Sequence, residues 1–143
     1  MGRARTVEKV EITGIGEKGL GVGRDQKGKV LFIENTYPGD VVDVLLFKKK
    51  RDYERGRVIQ FHEYSEGRRE AFCEHFGACG GCKWQNVKYD TQLGYKRQLV
   101  EDALVRIGKV DPGHIEPMVR ADNIHYYRNK LEFTFTDDRW LTK

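Results

Sequence analysis

The chain has 143 residues, of which 34% are charged, and its 26 basic and 22 acidic residues leave a formal net charge of +4. This length accommodates one domain or two small ones, and a hydrophobic content of 38% is typical of a folded protein rather than a disordered tail. The longest apolar run, Val44–Phe47, is far too short to span a membrane, and the N-terminus lacks the apolar core of a signal peptide. We therefore expect a cytoplasmic protein with no membrane partner.

The first part of the chain is predicted to form a small β-barrel. Short strand-like segments alternate with turns that contain glycine or proline, which is typical of OB-like barrels. The five segments are Val7–Thr13, Leu20–Arg24, Val30–Glu34, Val41–Lys48 and Arg57–Tyr64. No helix is expected among them. A polar, glycine-containing stretch at 63–70 follows, so the barrel is predicted to end near residue 62.

The segment Gly14–Gly19 matches the G-x-G-x-x-G pattern of dinucleotide-binding proteins and follows a predicted strand. That fingerprint requires a helix that begins within the motif, whereas two further glycines, Gly21 and Gly23, come next here. We therefore interpret the segment as a glycine-rich turn of the barrel rather than as a nucleotide site.

The segment Lys48–Arg57, between the last two predicted strands, carries six basic and two acidic residues around one aromatic residue. Basic side chains that contact phosphates, together with an aromatic ring that stacks on a base, would suit RNA. The candidate RNA-contacting residues are Lys48, Lys49, Lys50, Arg51, Tyr53, Arg55 and Arg57. The alternative is a solvated hairpin loop, and the OB-like context favours RNA.

The three cysteines, Cys73, Cys79 and Cys82, have the spacing Cys-x5-Cys-x2-Cys. An odd number of cysteines within ten residues argues against a disulfide framework, and clustered thiolates usually hold zinc or an iron–sulfur cluster. A four-cysteine cluster needs one more thiolate than the chain contains. Either that ligand lies beyond Lys143, or His75 or a non-protein ligand completes the site. A Cys3His zinc site is the alternative.

An amphipathic helix is predicted over 91–108, with Asp90 or Thr91 as its cap and Gly108 as its stop. Its apolar residues share one face: Leu93, Val100, Ala103, Leu104 and Ile107. Alternating apolar residues then predict a half-buried strand over 127–136, and no partner strand follows it, which suggests a truncated chain. The remaining histidines have no ligand spacing to one another and are assigned no role: His62, His114 and His125.

Three segments together resemble the RNA uracil-5 methyltransferase family, especially the bacterial enzymes that make 5-methyluridine in 23S ribosomal RNA. They are CEHFGACGGCKWQ at 73–85, YDTQLGYKRQLVEDALVRIG at 89–108 and YRNKLEFTF at 127–135. Residues 1–62 resemble the TRAM domain, an OB-like RNA-binding barrel found at the N-terminus of many family members.

The resemblance implies a mainly β fold with an α+β part. A five-stranded TRAM barrel at 1–62 precedes a small iron–sulfur segment at 63–90. An amphipathic helix at 91–114 then packs on a methyltransferase domain and is left uncovered in this chain, and residues 115–143 begin a central β domain.

The resemblance also implies a [4Fe-4S] cluster ligated by Cys73, Cys79, Cys82 and a fourth cysteine outside the chain. S-adenosylmethionine and the catalytic residues belong to a Rossmann-like domain that is likewise absent here. We therefore expect the RNA-binding and iron–sulfur portion of an S-adenosylmethionine-dependent 23S rRNA (uracil-C5)-methyltransferase, monomeric when full length and inactive as this fragment. The alternative is a stand-alone TRAM/OB-type RNA-binding module with a structural zinc site.

Overall fold

The computed structural model of the chain describes residues 5–78, 81–127, 129–130 and 137. Within these residues, five strands come first and one α-helix follows. The strands are β1 (Arg5–Ile15), β2 (Gly21–Arg24), β3 (Val30–Glu34), β4 (Val41–Lys49) and β5 (Tyr53–Glu63), and the helix is α1 (Tyr89–Asp102). The fold is therefore mainly β, as the sequence predicts.

The five strands form a closed barrel in the order β1-β2-β3-β5-β4. β3 pairs with β5 in parallel, whereas the other neighbouring strands pair antiparallel. Alternate side chains of each strand point inward because the side-chain period of a strand is two. The buried core consists of Val10, Ile12, Leu31, Ile33, Val42, Val44 and Leu46. The prediction of a five-stranded OB-like barrel is confirmed.

β5 begins four residues earlier than predicted, at Tyr53 rather than at Arg57. Its first residues pair with β3, so that Val30 lies opposite Tyr53 and Glu34 lies opposite Arg57. A parallel pairing joins strands that are distant in sequence, and no local pattern announces it. The predicted loop over 48–57 is therefore wrong, because most of this segment belongs to the ends of β4 and β5.

The glycine-rich segment after β1 is a turn. β1 continues to Ile15, and a single 3-10 turn at Glu17–Gly19 leads directly into β2. No α-helix begins in this motif, so the interpretation as a barrel turn is confirmed. The 3-10 turn corrects the expectation that the barrel contains no helical residues.

A cluster of ion pairs covers one end of the barrel. Glu54 is only 5% exposed, and its carboxylate lies 3.3 Å from both Arg5 and Lys29. Arg5 also reaches Asp25 at 2.9 Å. Asp25 accepts two further hydrogen bonds from the backbone N–H groups of the turn that it begins, those of Lys27 and Lys29. These contacts join β1 to the turn before β3 and to β5.

Stability is expected to depend on pH through Asp25. Its pKa lies below the ordinary aspartate value, chiefly because Arg5 donates a side-chain hydrogen bond to it, with burial acting in the opposite sense. A lowered folded-state pKa means that the carboxylate stabilises the fold above about pH 3.9 and that this contribution is lost as the pH falls through the lower folded value. Urea midpoints between about pH 5 and pH 2 should therefore fall less steeply for Asp25→Asn than for the wild type. Parallel curves for the two proteins would contradict this prediction.

The helix α1 differs from its prediction at both ends. It begins at Tyr89 with Lys88 as N-cap and no side-chain capping bond, so the predicted caps Asp90 and Thr91 are wrong. It ends at Asp102 and passes into a π-helical turn, Ala103–Ile107. None of the helices within the described ranges has the length and apolarity that a membrane crossing requires.

The side of α1 that packs on the rest of the protein is not the predicted apolar face. Tyr95 and Leu99 pack against a second hydrophobic cluster, whose buried residues are Ile15, Tyr37 and Val87. Val100, Leu104 and Ile107 are exposed. The predicted strand over 127–136 lies largely outside the described residues, as does the segment 138–143.

Candidate metal and nucleic-acid site

The segment that carries the cysteines is attached to the barrel through a second hydrophobic cluster. Ile15 and Tyr37 from the barrel and Val87 from beyond the cysteines are buried in it, and Trp84 packs against them. The Tyr37 hydroxyl donates to Asn86 Oδ1 at 2.7 Å and also lies 3.1 Å from the carbonyl oxygen of Lys83. Burial raises the pKa of the Tyr37 phenol, so the hydroxyl stays protonated at neutral pH and can donate these hydrogen bonds.

A buried ion pair joins the end of the barrel to the turn before β4. The Asp40 carboxylate is fully buried and accepts from the backbone N–H groups of Tyr37 at 2.7 Å and Ser65 at 2.8 Å. Arg68 donates to it twice, from Nε at 2.8 Å and from Nη2 at 2.6 Å. The Arg68 guanidinium also lies 4.5 Å from the centre of the Tyr37 ring and 4.9 Å from that of Phe61. Residues just beyond the barrel are thus held against it.

Arg68 is not predicted from the sequence, because the polar stretch at 63–70 has the composition of a linker. No local signal identifies it, since its partner Asp40 lies 28 residues away.

Two of the three cysteines are held by one glutamine. Gln85 Oε1 accepts from the backbone N–H of Cys73 at 3.0 Å, and Gln85 Nε2 donates to Cys82 Sγ at 3.8 Å. Cys73 is half-buried and Cys82 is exposed. Cys79 lies outside the described residues. The structure therefore brings Cys73 and Cys82 around the same side chain, and Gln85 is a further site residue that cysteine spacing alone does not reveal.

The described residues do not assemble a complete metal site. Among them, no three side chains of His, Cys, Asp or Glu are placed to hold a metal ion together. This set includes Cys73, His75 and Cys82 but not Cys79. His75 is exposed in a short turn that follows Cys73. The predicted ligand set therefore stays a prediction.

The predicted RNA-contacting residues fall into two groups. Tyr53 and Arg55 are engaged within the protein, since the Tyr53 ring packs edge-on against Phe32 at 5.2 Å and Arg55 lies 3.4 Å from Glu34. The others are exposed on the ends of β4 and β5 and the turn between them: Lys48, Lys49, Lys50, Arg51 and Arg57. These five side chains form a basic surface on the barrel. The ring of Tyr53, the predicted aromatic partner of RNA, contacts Phe32 instead of projecting from this surface.

Replacement of Lys48–Arg51 by neutral residues is expected to weaken RNA binding. Each phosphate contact that is lost should reduce the slope of log K against log salt by about 0.7–0.9. Fluorescence anisotropy of a labelled RNA over a range of salt concentrations measures this slope. An unchanged slope would mean that the basic surface is only solvated.

The close contact between Trp84 and the 3-10 turn makes Gly19 sensitive to substitution. Gly19 has a φ of +72°, and a Cβ at this position would lie 2.7 Å from Trp84 Nε1. Gly19→Ala is expected to lower the free energy of unfolding by about 2–3 kcal/mol, measured by urea denaturation.

The matched control is Gly28→Ala, because Gly28 has a φ of +80° and a Cβ added there would have no neighbouring atom within 4 Å. The control isolates the backbone cost of positive φ, which is about 1 kcal/mol. Equal losses in the two variants would show that the Trp84 contact contributes nothing.

Comparisons with known proteins agree with this architecture. Residues 3–59 match the TRAM domain. A protein of Bacteroides thetaiotaomicron named as an uncharacterized RNA methyltransferase is 48% identical over 113 residues, 79% of this chain and 25% of the relative. Proteins with the same name from Porphyromonas gingivalis and Thermotoga maritima are 44% and 38% identical, over 92% and 90% of this chain and 28% and 29% of the relatives.

The chain thus spans between a quarter and a third of the length of these relatives. The match extends well beyond the barrel in each case, because the TRAM domain covers only residues 3–59. Residues 3–59 therefore belong to the TRAM domain family, and over most of its length the chain is similar to proteins named as RNA methyltransferases.

Proposed function

We propose that this chain is the RNA-binding and iron–sulfur portion of an S-adenosylmethionine-dependent 23S rRNA (uracil-C5)-methyltransferase. The observation that supports it is the direct attachment of the cysteine segment to the TRAM barrel, through the Tyr37–Asn86 hydrogen bond and the Asp40–Arg68 ion pair. An attachment of this kind holds the barrel and the cysteines as one RNA-facing unit. The whole protein would act in the cytoplasm as a monomer.

The cysteine segment suits a [4Fe-4S] cluster in its donor chemistry. Thiolates are the ligands of such clusters, and Cys73 and Cys82 are held together by Gln85. The Gln85 amide donates to the Cys82 sulfur, which is the kind of hydrogen bond that orients a ligand and adjusts its basicity. Cys79 and a cysteine elsewhere in the protein would complete the set. The cluster would supply a rigid structural anchor rather than a redox step.

The contribution of this chain to the reaction is the positioning of RNA. Methylation at C5 of uracil proceeds by addition of a thiolate to C6 and transfer of the methyl group from S-adenosylmethionine to C5, which releases S-adenosylhomocysteine. A base then removes the C5 proton, and the thiolate is expelled from C6. We assign the thiolate and the base to a part of the protein outside this chain. A uracil in folded RNA has to leave its stack before it can reach such groups. The exposed cations of the barrel would hold the flanking phosphates while this happens.

Methyl transfer by the full-length protein tests this proposal. The protein, purified anaerobically, is incubated with methyl-labelled S-adenosylmethionine and an unmodified 23S rRNA transcript, and the digested nucleosides are separated. Label is expected in 5-methyluridine and nowhere else. Label in cytidine, adenosine or ribose would overturn the uracil-C5 assignment, and transfer to tRNA but not to rRNA would overturn the substrate.

The 143-residue chain itself is expected to transfer no methyl group, because we place the catalytic groups outside it. The same assay run on this chain provides the comparison. Turnover by the chain alone would contradict that assignment of the catalytic groups.

A further inference from the structure

A cleft lies where the turn before β2, the cysteine segment, the start of α1 and residues 121–127 meet. Its volume is about 760 Å³, which falls within the range of roughly 300–1,000 Å³ that is typical of small-molecule sites. This cleft is on the cysteine side of the molecule and does not include the basic surface at Lys48–Arg51. It is therefore a second candidate for contact with RNA.

The charged side chains that line the cleft are all basic among the residues that the structure describes. They are Lys18, Arg69, Lys83 and Lys96, and the described lining contains no aspartate or glutamate. The chain as a whole has nearly balanced charges, 26 basic and 22 acidic, so this lining departs strongly from the average. Basic side chains without neighbouring carboxylates attract polyanions.

Two of these four cations, Lys83 and Arg69, are held in position by backbone carbonyl groups rather than by carboxylates. Lys83 Nζ donates to the carbonyl oxygen of Lys18 at 3.0 Å, and Arg69 Nε donates to the carbonyl oxygen of Gln85 at 3.1 Å. Within the described part of the chain, none of the four forms an ion pair with a carboxylate. Arg5 and Arg68, by contrast, are each paired with an acidic residue.

Aromatic rings line the same cleft. Phe72, next to Cys73, is 52% exposed, and its ring is perpendicular to that of His125 with the ring centres 4.5 Å apart. Trp84 forms a more buried part of the wall, where it packs against Tyr95. An exposed aromatic ring beside unpaired cations suits a ligand that has both a phosphate and a π face, because bases stack on such rings and phosphates contact the cations.

We propose that this cleft binds one unstacked nucleotide of RNA, with its phosphate near Lys83 and Lys96 and its base on Phe72. The proposal rests on the proposed function, which makes RNA the partner, and it adds the place and the conformation of the nucleotide. A single-stranded RNA can present such a nucleotide at a lower cost than a duplex, whose base pairs have to be opened first.

The charged part of the cleft is tested by RNA binding, measured as fluorescence anisotropy over a range of salt concentrations. The probe is a fluorescein-labelled single-stranded RNA of about 12 nucleotides, which is within the site sizes typical of OB-type proteins. The full chain is purified anaerobically, and the variant Lys83→Gln/Lys96→Gln is compared with Lys27→Gln/Lys109→Gln, which changes the net charge equally at exposed positions outside both the cleft and the basic surface. The cleft pair should weaken binding at least about tenfold and reduce the salt slope by about 0.7, since the proposed nucleotide has one phosphate and a single strand contributes about 0.7 per phosphate contact. The control pair should bind like the wild type.

The variant Phe72→Leu tests the aromatic part, with Phe47→Leu as the matched control, because Phe47 is similarly exposed at 48% and lies on β4 outside the cleft. Loss of one stacked base should weaken single-strand binding by about 5- to 150-fold. The salt slope should stay the same, and binding of a duplex of the same length should hardly change. Phe47→Leu should bind like the wild type.

Circular dichroism melting confirms that each variant is folded. If the double variant Lys83→Gln/Lys96→Gln does not fold, the single variant Lys96→Gln, at an exposed helix position, replaces it in the binding measurement.

The outcomes separate this inference from the proposed function. If the wild type binds the RNA and the cleft variants bind it as tightly as the wild type, the cleft inference is overturned and the proposed function stands. If poly-glutamate competes as well as RNA at equal salt, the cleft is a general anion site and the inference is again overturned. If the full chain binds no RNA, both fail together.

Discussion

Replacement of Arg68 by alanine is expected to lower the free energy of unfolding by about 3–5 kcal/mol, the cost of removing one partner from a buried ion pair. The Asp40 carboxylate is fully buried, and Arg68 supplies two of the four hydrogen bonds it accepts. Without Arg68, a buried negative charge keeps only two backbone donors. The three aromatic rings around the guanidinium, those of Tyr37, Phe61 and Tyr64, lose their contact with it as well. Urea denaturation monitored by circular dichroism measures the loss.

The matched control is Arg57→Ala, because Arg57 is exposed on β5 and exposed substitutions usually change stability by no more than about 0.5 kcal/mol. Arg68→Lys should fall between the two, since lysine keeps the charge but not the paired donors of the guanidinium. A loss below about 1 kcal/mol for Arg68→Ala would show that the ion pair does not hold the residues beyond β5 against the barrel.

Cys79→Ser is expected to abolish the brown colour and the broad visible absorption of the anaerobically purified full-length protein. The reason is the loss of a thiolate ligand, which a serine hydroxyl does not replace for a soft metal cluster. Iron and acid-labile sulfide should fall together in the variant. This prediction depends on the proposed cluster, and retained colour would place the ligand elsewhere.

His75→Ala is the control for the cysteine prediction, and it separates the cluster from zinc. An iron–sulfur site built on cysteines should keep its colour in this variant, whereas a Cys3His zinc site would lose its metal.

Native mass spectrometry of the protein from its own source gives a second measurement of the bound metal and also gives the chain length. A mass well above 16.6 kDa with a four-iron, four-sulfur increment is expected. A 16.6 kDa species with one zinc would instead support a stand-alone RNA-binding module.

The barrel was largely predictable because its signals are local. The alternation of buried and exposed residues in β4 follows directly from Val42, Val44 and Leu46, and glycine and proline mark the turns between strands. The start of β5 was not predictable from the local sequence, because Tyr53 and Arg55 lie in a charged segment that is typical of a loop. They belong to a strand because β3, which is distant in sequence, pairs with them. Their placement in a loop was wrong for the same reason, whereas their contact with RNA stays a prediction.

The helix α1 shows the same division. Its presence follows from the composition of the segment after the cysteines, but its packed side does not. Tyr95 and Leu99 face the protein because Tyr37 and Val87 provide an apolar surface there. In the predicted apolar series, by contrast, Val100, Leu104 and Ile107 are exposed and only Leu93 is half-buried.

The sequence by itself determined the strand number, the turns, the cysteine spacing and the resemblance to the TRAM domain, since each is a pattern carried by neighbouring residues. Only the tertiary structure decided which charged groups are neutralised and which are available. Asp40 and Arg68 are 28 residues apart, and Tyr37 and Asn86 are 49 apart. The cleft gathers Lys18, Lys83 and Lys96 from three separate elements. The sequence shows which side chains are charged, but it does not show whether a group of opposite charge lies nearby. The fold decides this, because it sets the distance between groups that are far apart in the chain, and the interaction energy depends on that distance.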